Sequence, residues 1–113
     1  MTPRLTGSML AGSLIRICEV KGGHAMVLAK GDPDAGALLI SLYHKGRVSG
    51  LFEQLLDPQG RYRWTRTGPQ DDEDQAAFDH YIRKRRTNDP DLWVVELDIA
   101  DGERLIAEWG GDG

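Results

Sequence analysis

Apolar residues recur at two different spacings along the chain. Between residues 6 and 20, Leu10, Leu14 and Ile17 fall three or four positions apart, with Cys18 beside them. That period marks one face of an amphipathic helix. Thr6 or Ser8 can cap its start, Gly22-Gly23 can end it, and Gly12 sits inside it. A second stripe, Ala77, Phe78, Tyr81 and Ile82, predicts another helix. Asp71, Asp72, Glu73 and Asp74 load its first turn, and Arg83, Lys84, Arg85 and Arg86 load its last. Negative charge at the start and positive charge at the end both complement the helix dipole. Pro90 requires the helix to stop at or before Asp89.

The other apolar positions lie in short runs bounded by turn residues, the signature of strands. These are "HAMVLAK" (24–30), "ALLISLY" (37–43), "RVSGLFEQLL" (47–56) and "LWVVELDI" (92–99). "GDPDAG" between the first two has hairpin length, and Lys45-Gly46 makes the next turn. "DPQG" (57–60) places Asp first, Pro second and Gly last, as a type I turn favours. "RYRWTRT" (61–67) alternates with period two and has only two strong apolar positions. It reads as an edge strand whose arginines deter edge-to-edge pairing. "ERLIAEW" (103–109) fits a closing strand or a short helix, and residues 110–113 a frayed tail.

The predicted order is therefore α-β-β-β-β-α-β with a C-terminal element. Residues 25–29, 37–42 and 92–95 are unbroken apolar runs, which implies strands buried on both faces. Two helices can supply the two covers. The expected fold is α+β, or α/β in three layers, with a mixed, mainly antiparallel sheet of about five strands and two helices. The helix between 61–67 and 92–99 is long enough for a right-handed crossover.

Length and charge narrow the picture further. A chain of 113 residues fits one domain, 1–113, able to bury a core without disulfides or metal. Its net charge of -4 argues against general nucleic-acid binding, which needs a basic face. Cys18 is the only cysteine, and between Ile17 and Val20 it reads as a buried, inert thiol. No window approaches the run of about 18 apolar residues that a membrane helix requires. Arg16 and Glu19 interrupt the apolar stretch near the N-terminus, so no signal-peptide core is visible and a cytoplasmic location is expected.

Three groups of residues are candidates for function. Asp32, Asp34, Asp89 and Asp91 belong to two Asp-Pro-Asp segments, each preceding an apolar run. They could meet around Mg²⁺ or Ca²⁺ if the strands they precede are parallel neighbours. Against this, Asp and Pro are the ordinary residues of turns, and open sheets bind ligands beyond the opposite, carboxyl ends. Arg61, Arg63, Arg83, Arg85 and Arg86 could form an RNA-binding patch, with Tyr62 and Trp64 as stacking platforms. That requires the strand and the helix end to lie side by side. Tyr62, Trp64 and Trp109 could instead anchor an interface. His24, His44 and His80 lack metal-ligand spacing, although His44 lies at the carboxyl end of its strand. No phosphate loop, dinucleotide fingerprint or nucleophile elbow is present.

"RLTGSMLAG" (4–12), "GDPDAGALLI" (31–40) and "RRTNDPDLWVVELD" (85–98) together resemble the bacterial family catalogued as domain of unknown function 1491. The resemblance spans nearly the whole chain. It implies a stand-alone cytoplasmic protein of about this length, found mainly in alphaproteobacteria, with no assigned activity, cofactor or catalytic residue. The expectation is a non-enzymatic interaction or accessory module without cofactor or membrane contact. It would bind a protein partner or itself as a homo-oligomer. A metal-dependent enzyme using the acidic loops and an RNA-binding protein are the alternatives.

Overall fold

The computed structural model describes residues 6–70 and 73–110. Helix α1 (Gly7–Val20) starts where the Thr6 hydroxyl accepts the Met9 N–H, so Thr6 rather than Ser8 is the cap. Strands β1 (His24–Ala29), β2 (Leu38–His44), β3 (Arg47–Leu56) and β4 (Tyr62–Thr67) follow. Helix α2 (Gln75–Asn88), strand β5 (Trp93–Asp98) and helix α3 (Gly102–Trp109) complete the fold. Helix α2 starts later than expected, so Glu73 and Asp74 precede its first turn, and Asp74 caps it by accepting the Ala77 N–H. The predicted acids Asp71 and Asp72, and tail residues 111–113, lie outside the described residues.

One five-stranded sheet runs β1-β5-β2-β3-β4. Only β2 and β5 pair parallel, and the other neighbours are antiparallel. The β2–β3 turn uses Lys45 and Gly46, both at positive φ (53° and 80°). Such a turn matches the twist of the strands it joins. Asp57 organises the β3–β4 turn by accepting the N–H groups of Gln59 and Arg61.

The sheet lies between helices. On one face Leu38, Ile40, Leu42, Val95 and Leu97 pack against α1 and α3 through Leu14, Cys18, Leu105 and Ile106. On the other, Leu39, Leu51, Leu92 and Val94 pack against Phe78 of α2. The expected mixed, mainly antiparallel sheet in an α+β, three-layer arrangement is therefore what forms. "ERLIAEW" resolves as helix, giving three helices rather than two. Its apolar residues Leu105, Ile106 and Trp109 share one side of a helix, and Gly102 abuts Leu42 of β2.

Two local expectations need correction. "GDPDAG" is not a hairpin loop, because β5 inserts between β1 and β2. The β1 run is not buried on both faces either. It forms an outer strand, and Met26, Val27 and Leu28 are 59%, 40% and 44% exposed. An apolar run reports side-chain character and cannot report how many neighbours a strand has. Among the described residues, no helix is long and apolar enough to cross a membrane.

Phe78 is the one fully buried residue of α2. Phe78→Ala is expected to destabilise the protein by about 3–5 kcal/mol in urea denaturation, because it empties the contact that seats α2.

Candidate functional site

The parallel β2–β5 pair does bring the two Asp-Pro-Asp segments to the same end of the sheet. Backbone groups make the junction. The Asp32 N–H donates to the Asp91 carbonyl at 3.0 Å, and the Trp93 N–H donates to the Ala37 carbonyl at 2.8 Å. The Trp93 indole N–H donates to the Asp32 carbonyl at 2.8 Å. The carboxylates mostly turn back on their own loops. Asp32 Oδ1 accepts the N–H groups of Asp34 and Ala35, and Asp89 Oδ1 accepts that of Asp91. These are Asx turns, which order a loop without any ion. Among the described residues, no three His, Cys, Asp or Glu side chains are grouped to hold a metal. Gly31 and Gly36 both pass directly over the Asp91 carbonyl, where a Cβ would overlap its oxygen. Gly36→Ala should therefore cost about 3 kcal/mol or more of unfolding free energy, measurable by denaturant titration.

Four of the five candidate arginine side chains, those of Arg63, Arg83, Arg85 and Arg86, are engaged within the fold. Arg85 Nη1 lies 2.6 Å from Glu53 Oε1, and the Tyr81 hydroxyl donates to the same carboxylate. Arg63 pairs with Asp57 at 2.6 Å, and Arg83 with Asp79 at 3.7 Å. The Arg61 backbone N–H and then the Arg63 side chain hold the Asp57 carboxyl below its usual pKa range. Arg86 donates to the carbonyls of Pro90, Leu92 and Lys30, tying the end of α2 to the start of β5. Alternation along β4 puts Arg61 and Arg63 on the α2 face of the sheet and Tyr62 and Trp64 on the other. The proposed stacking platforms and the arginines thus sit on opposite faces. Trp64 packs on Trp109 with ring centroids 5.2 Å apart, and the Trp109 indole donates to Ser13 Oγ at 2.9 Å. Both tryptophans help to fix α3 against β4 and α1.

A groove of about 570 Å³ lies beyond the carboxyl ends of β2 and β5. His44 and Asp98 stand 3.9 Å apart at its wall. This is where open sheets usually bind ligands, and only the position of His44 hinted at it in the sequence. Its two cations are already engaged, because Lys21 and Arg104 both pair with Glu108. Cys18 lies below, its thiol directed at the His24 carbonyl. Burial first, then the charges of Glu19 and Asp98, push its pKa up, away from a reactive thiolate.

The two edges of the sheet differ in chemistry. β4 carries Arg63 and Arg66, with Arg61 just before it, and the Arg66 guanidinium turns back to donate to the Ser49 carbonyl of β3. Along β1, "HAMVLA" has no Lys, Arg, Asp, Glu or Pro. Its outer N–H and C=O groups face away from β5, and three large apolar side chains stand exposed beside them. Sequence reasoning missed this feature because β1 resembled an interior strand. The available signal was the contrast between its charge-free run and the arginines of 61–67.

Next to Met26 in register lies Glu96. Burial, and then the Asp98 charge, raise its pKa. Protonation of Glu96 is therefore easier in the folded chain than in the unfolded one. The folded state loses stability as pH rises through the raised pKa. Glu96→Gln should accordingly raise the melting temperature at neutral pH. The gain should vanish below about pH 4, where both forms of the chain are neutral at this position.

A family model described as a protein of unknown function, DUF1491, matches residues 5–107. The structure is similar to the crystal structure of a DUF1491 family protein from Caulobacter crescentus CB15, with 31% identity and a TM-score of 0.78. That match covers 90% of this chain and 94% of that one. It is also similar to an NMR structure of a DUF1491 family protein from the same organism, at 30% identity and a TM-score of 0.73, covering 93% and 94%. The solution structure of protein Atu0922 from A. tumefaciens is similar at 27% identity and a TM-score of 0.70, covering 92% and 93%. No curated protein matches.

Proposed function

Because this chain belongs to the DUF1491 family, whose function is unknown, we propose a function from its geometry: it is a non-enzymatic interaction module that docks an extended strand on β1. The open, charge-free β1 edge carries this reading. An edge strand offers a row of unpaired N–H and C=O groups, and most folds blunt such a row with charge, Pro or a cover. Here β4 carries arginines, whereas β1 carries no charge and is interrupted by a single bulge between Val27 and Ala29, which leaves His24–Val27 as its regular, exposed stretch. Strand addition would supply main-chain hydrogen bonds along β1, with Met26 and Val27 contacting alternate side chains of the incoming strand. The partner is either a protein segment or another copy of the chain.

The other two readings draw less support. Asp32 and Asp89 are committed to turn hydrogen bonds, and most of the candidate arginines are paired with carboxylates or carbonyls.

Affinity capture from native lysate, run beside light scattering, tests the docking edge. The native chain should retain a partner or self-associate, and Met26→Lys should weaken retention at least about tenfold by placing a charge at the pairing edge. Equal retention by both proteins would contradict the reading, as would a native chain that binds neither partner nor itself.

A further inference from the structure

Resting on the docking-edge reading, we infer that the strand docked on β1 belongs to a partner protein and carries a lysine or arginine opposite Met26, its charge received by Glu96 and Asp98. Three observations place that cation.

The first is an unmet negative charge. Glu96 and Asp98 follow Val94 at spacings of two, so they share the sheet face that bears α2. Both are half-buried. Among the described residues, Glu96 makes no hydrogen bond and no ion pair. Its surroundings supply burial and the like charge of Asp98, both of which raise its pKa. The bases nearest in register, His24 and His44, are cations only when protonated. A carboxylate kept at a cost to the fold, with no cation beside it, is complementary to one brought from outside.

The second is a buried hydroxyl. Ser41 is the partner of Glu96 in β2, and Leu39, two residues earlier, packs beneath α2, so Ser41 faces the same side. It is fully buried, and its Oγ has no hydrogen-bond partner among the described residues. Leaving such a group unsatisfied costs stability. The neighbouring acceptor is Glu96. A cation on one oxygen of Glu96 holds the carboxylate ionised and leaves the other free to accept the Ser41 hydroxyl.

The third is access and reach. Helix α2 packs chiefly on β3, which leaves the β5–β1 side of this face open. Ala25 packs in the α1 cluster, so alternation puts Met26 on the α2 face. The row then reads Met26, Glu96, Ser41 from the sheet edge inward. The bulge between Val27 and Ala29 confines regular pairing to His24–Val27, and Met26 lies within that stretch. A strand added beside β1 stands two strand spacings from β5, roughly 10 Å. Lysine and arginine carry a positive charge on a stem long enough to cross such a gap, and exposed Met26 offers that stem an apolar bed.

NMR titration of the ¹⁵N-labelled full chain tests this, with capped hexapeptides of alternating threonine and valine as probes. One probe carries a central lysine, and the others carry leucine or glutamate in its place. The lysine peptide should shift the His24–Val27 amides and bind about three- to fivefold tighter than the leucine peptide, with the glutamate peptide weaker still. Glu96→Gln, its fold checked by melting temperature, should bring the lysine peptide down to the affinity of the leucine peptide and leave the leucine peptide unchanged. If lysine and leucine peptides shift β1 with equal affinity, or if the preference survives Glu96→Gln, the cation site is refuted and the docking edge stands. If no peptide shifts the β1 amides at millimolar concentration, both readings fall. A chain that binds no peptide but self-associates, and loses that association in Met26→Lys, puts a second copy on the edge and overturns the partner strand.

Discussion

Parallel pairing of β2 with β5 is the constraint on which the rest of the molecule depends. Strands 50 or more residues apart meet in register, Leu38 against Trp93 through Tyr43 against Asp98. Parallel neighbours cannot be joined by a tight turn, so the chain must travel over the sheet before returning. Helix α2 makes that passage, and Arg86 ties its end to the carbonyls where β5 begins. Once β2 and β5 lie at the centre, both of their faces need apolar covers. Leu39, Ile40, Val94 and Val95 are all at 0% exposure, two toward α2 and two toward α1 and α3.

The same pairing explains the repeated Asp-Pro-Asp. Each copy precedes one of the two parallel strands, so the two loops meet. They meet through backbone: Gly31 and Gly36 allow the chain to lie against the Asp91 carbonyl, and Asp32 and Asp89 fold their own turns. The repeated tripeptide works as a joint at the amino ends of the central strands. Insertion of β5 also displaces β1 to the outside, and this displacement creates the open edge. An apolar strand that would be ordinary in the interior becomes a row of free backbone groups beside exposed Met26, Val27 and Leu28.

What could be read from the sequence was what local chemistry determines. The Thr6 cap, the Lys45-Gly46 and Asp57-Gly60 turns, the arginine-guarded strand and the helical stripe around Phe78 each follow from a few adjacent residues. The β1–β5 neighbourhood does not, because contacts about 70 positions apart leave no spacing pattern near either strand. "GDPDAG" is chemically a turn whether or not the strands around it pair. Residues 103–109 are too few to separate period two from period 3.6 until Gly102 and Leu105 are seen against the sheet. Candidate sites suffered similarly. Arg85 and Asp32 were conspicuous by type, yet their partners, Glu53 and the loop backbone, bind them into the fold. The open edge at β1 is a property of strand order, and strand order was the part the residues did not spell out.

Residue-resolved amide hydrogen exchange tests most directly whether the sheet is closed at its centre and open at β1. In dilute solution, amides of β2 and β5 should exchange only through global unfolding, while the outward amides of β1 exchange quickly. Outward β1 amides that stay as protected as β5 at every dilution would contradict the account.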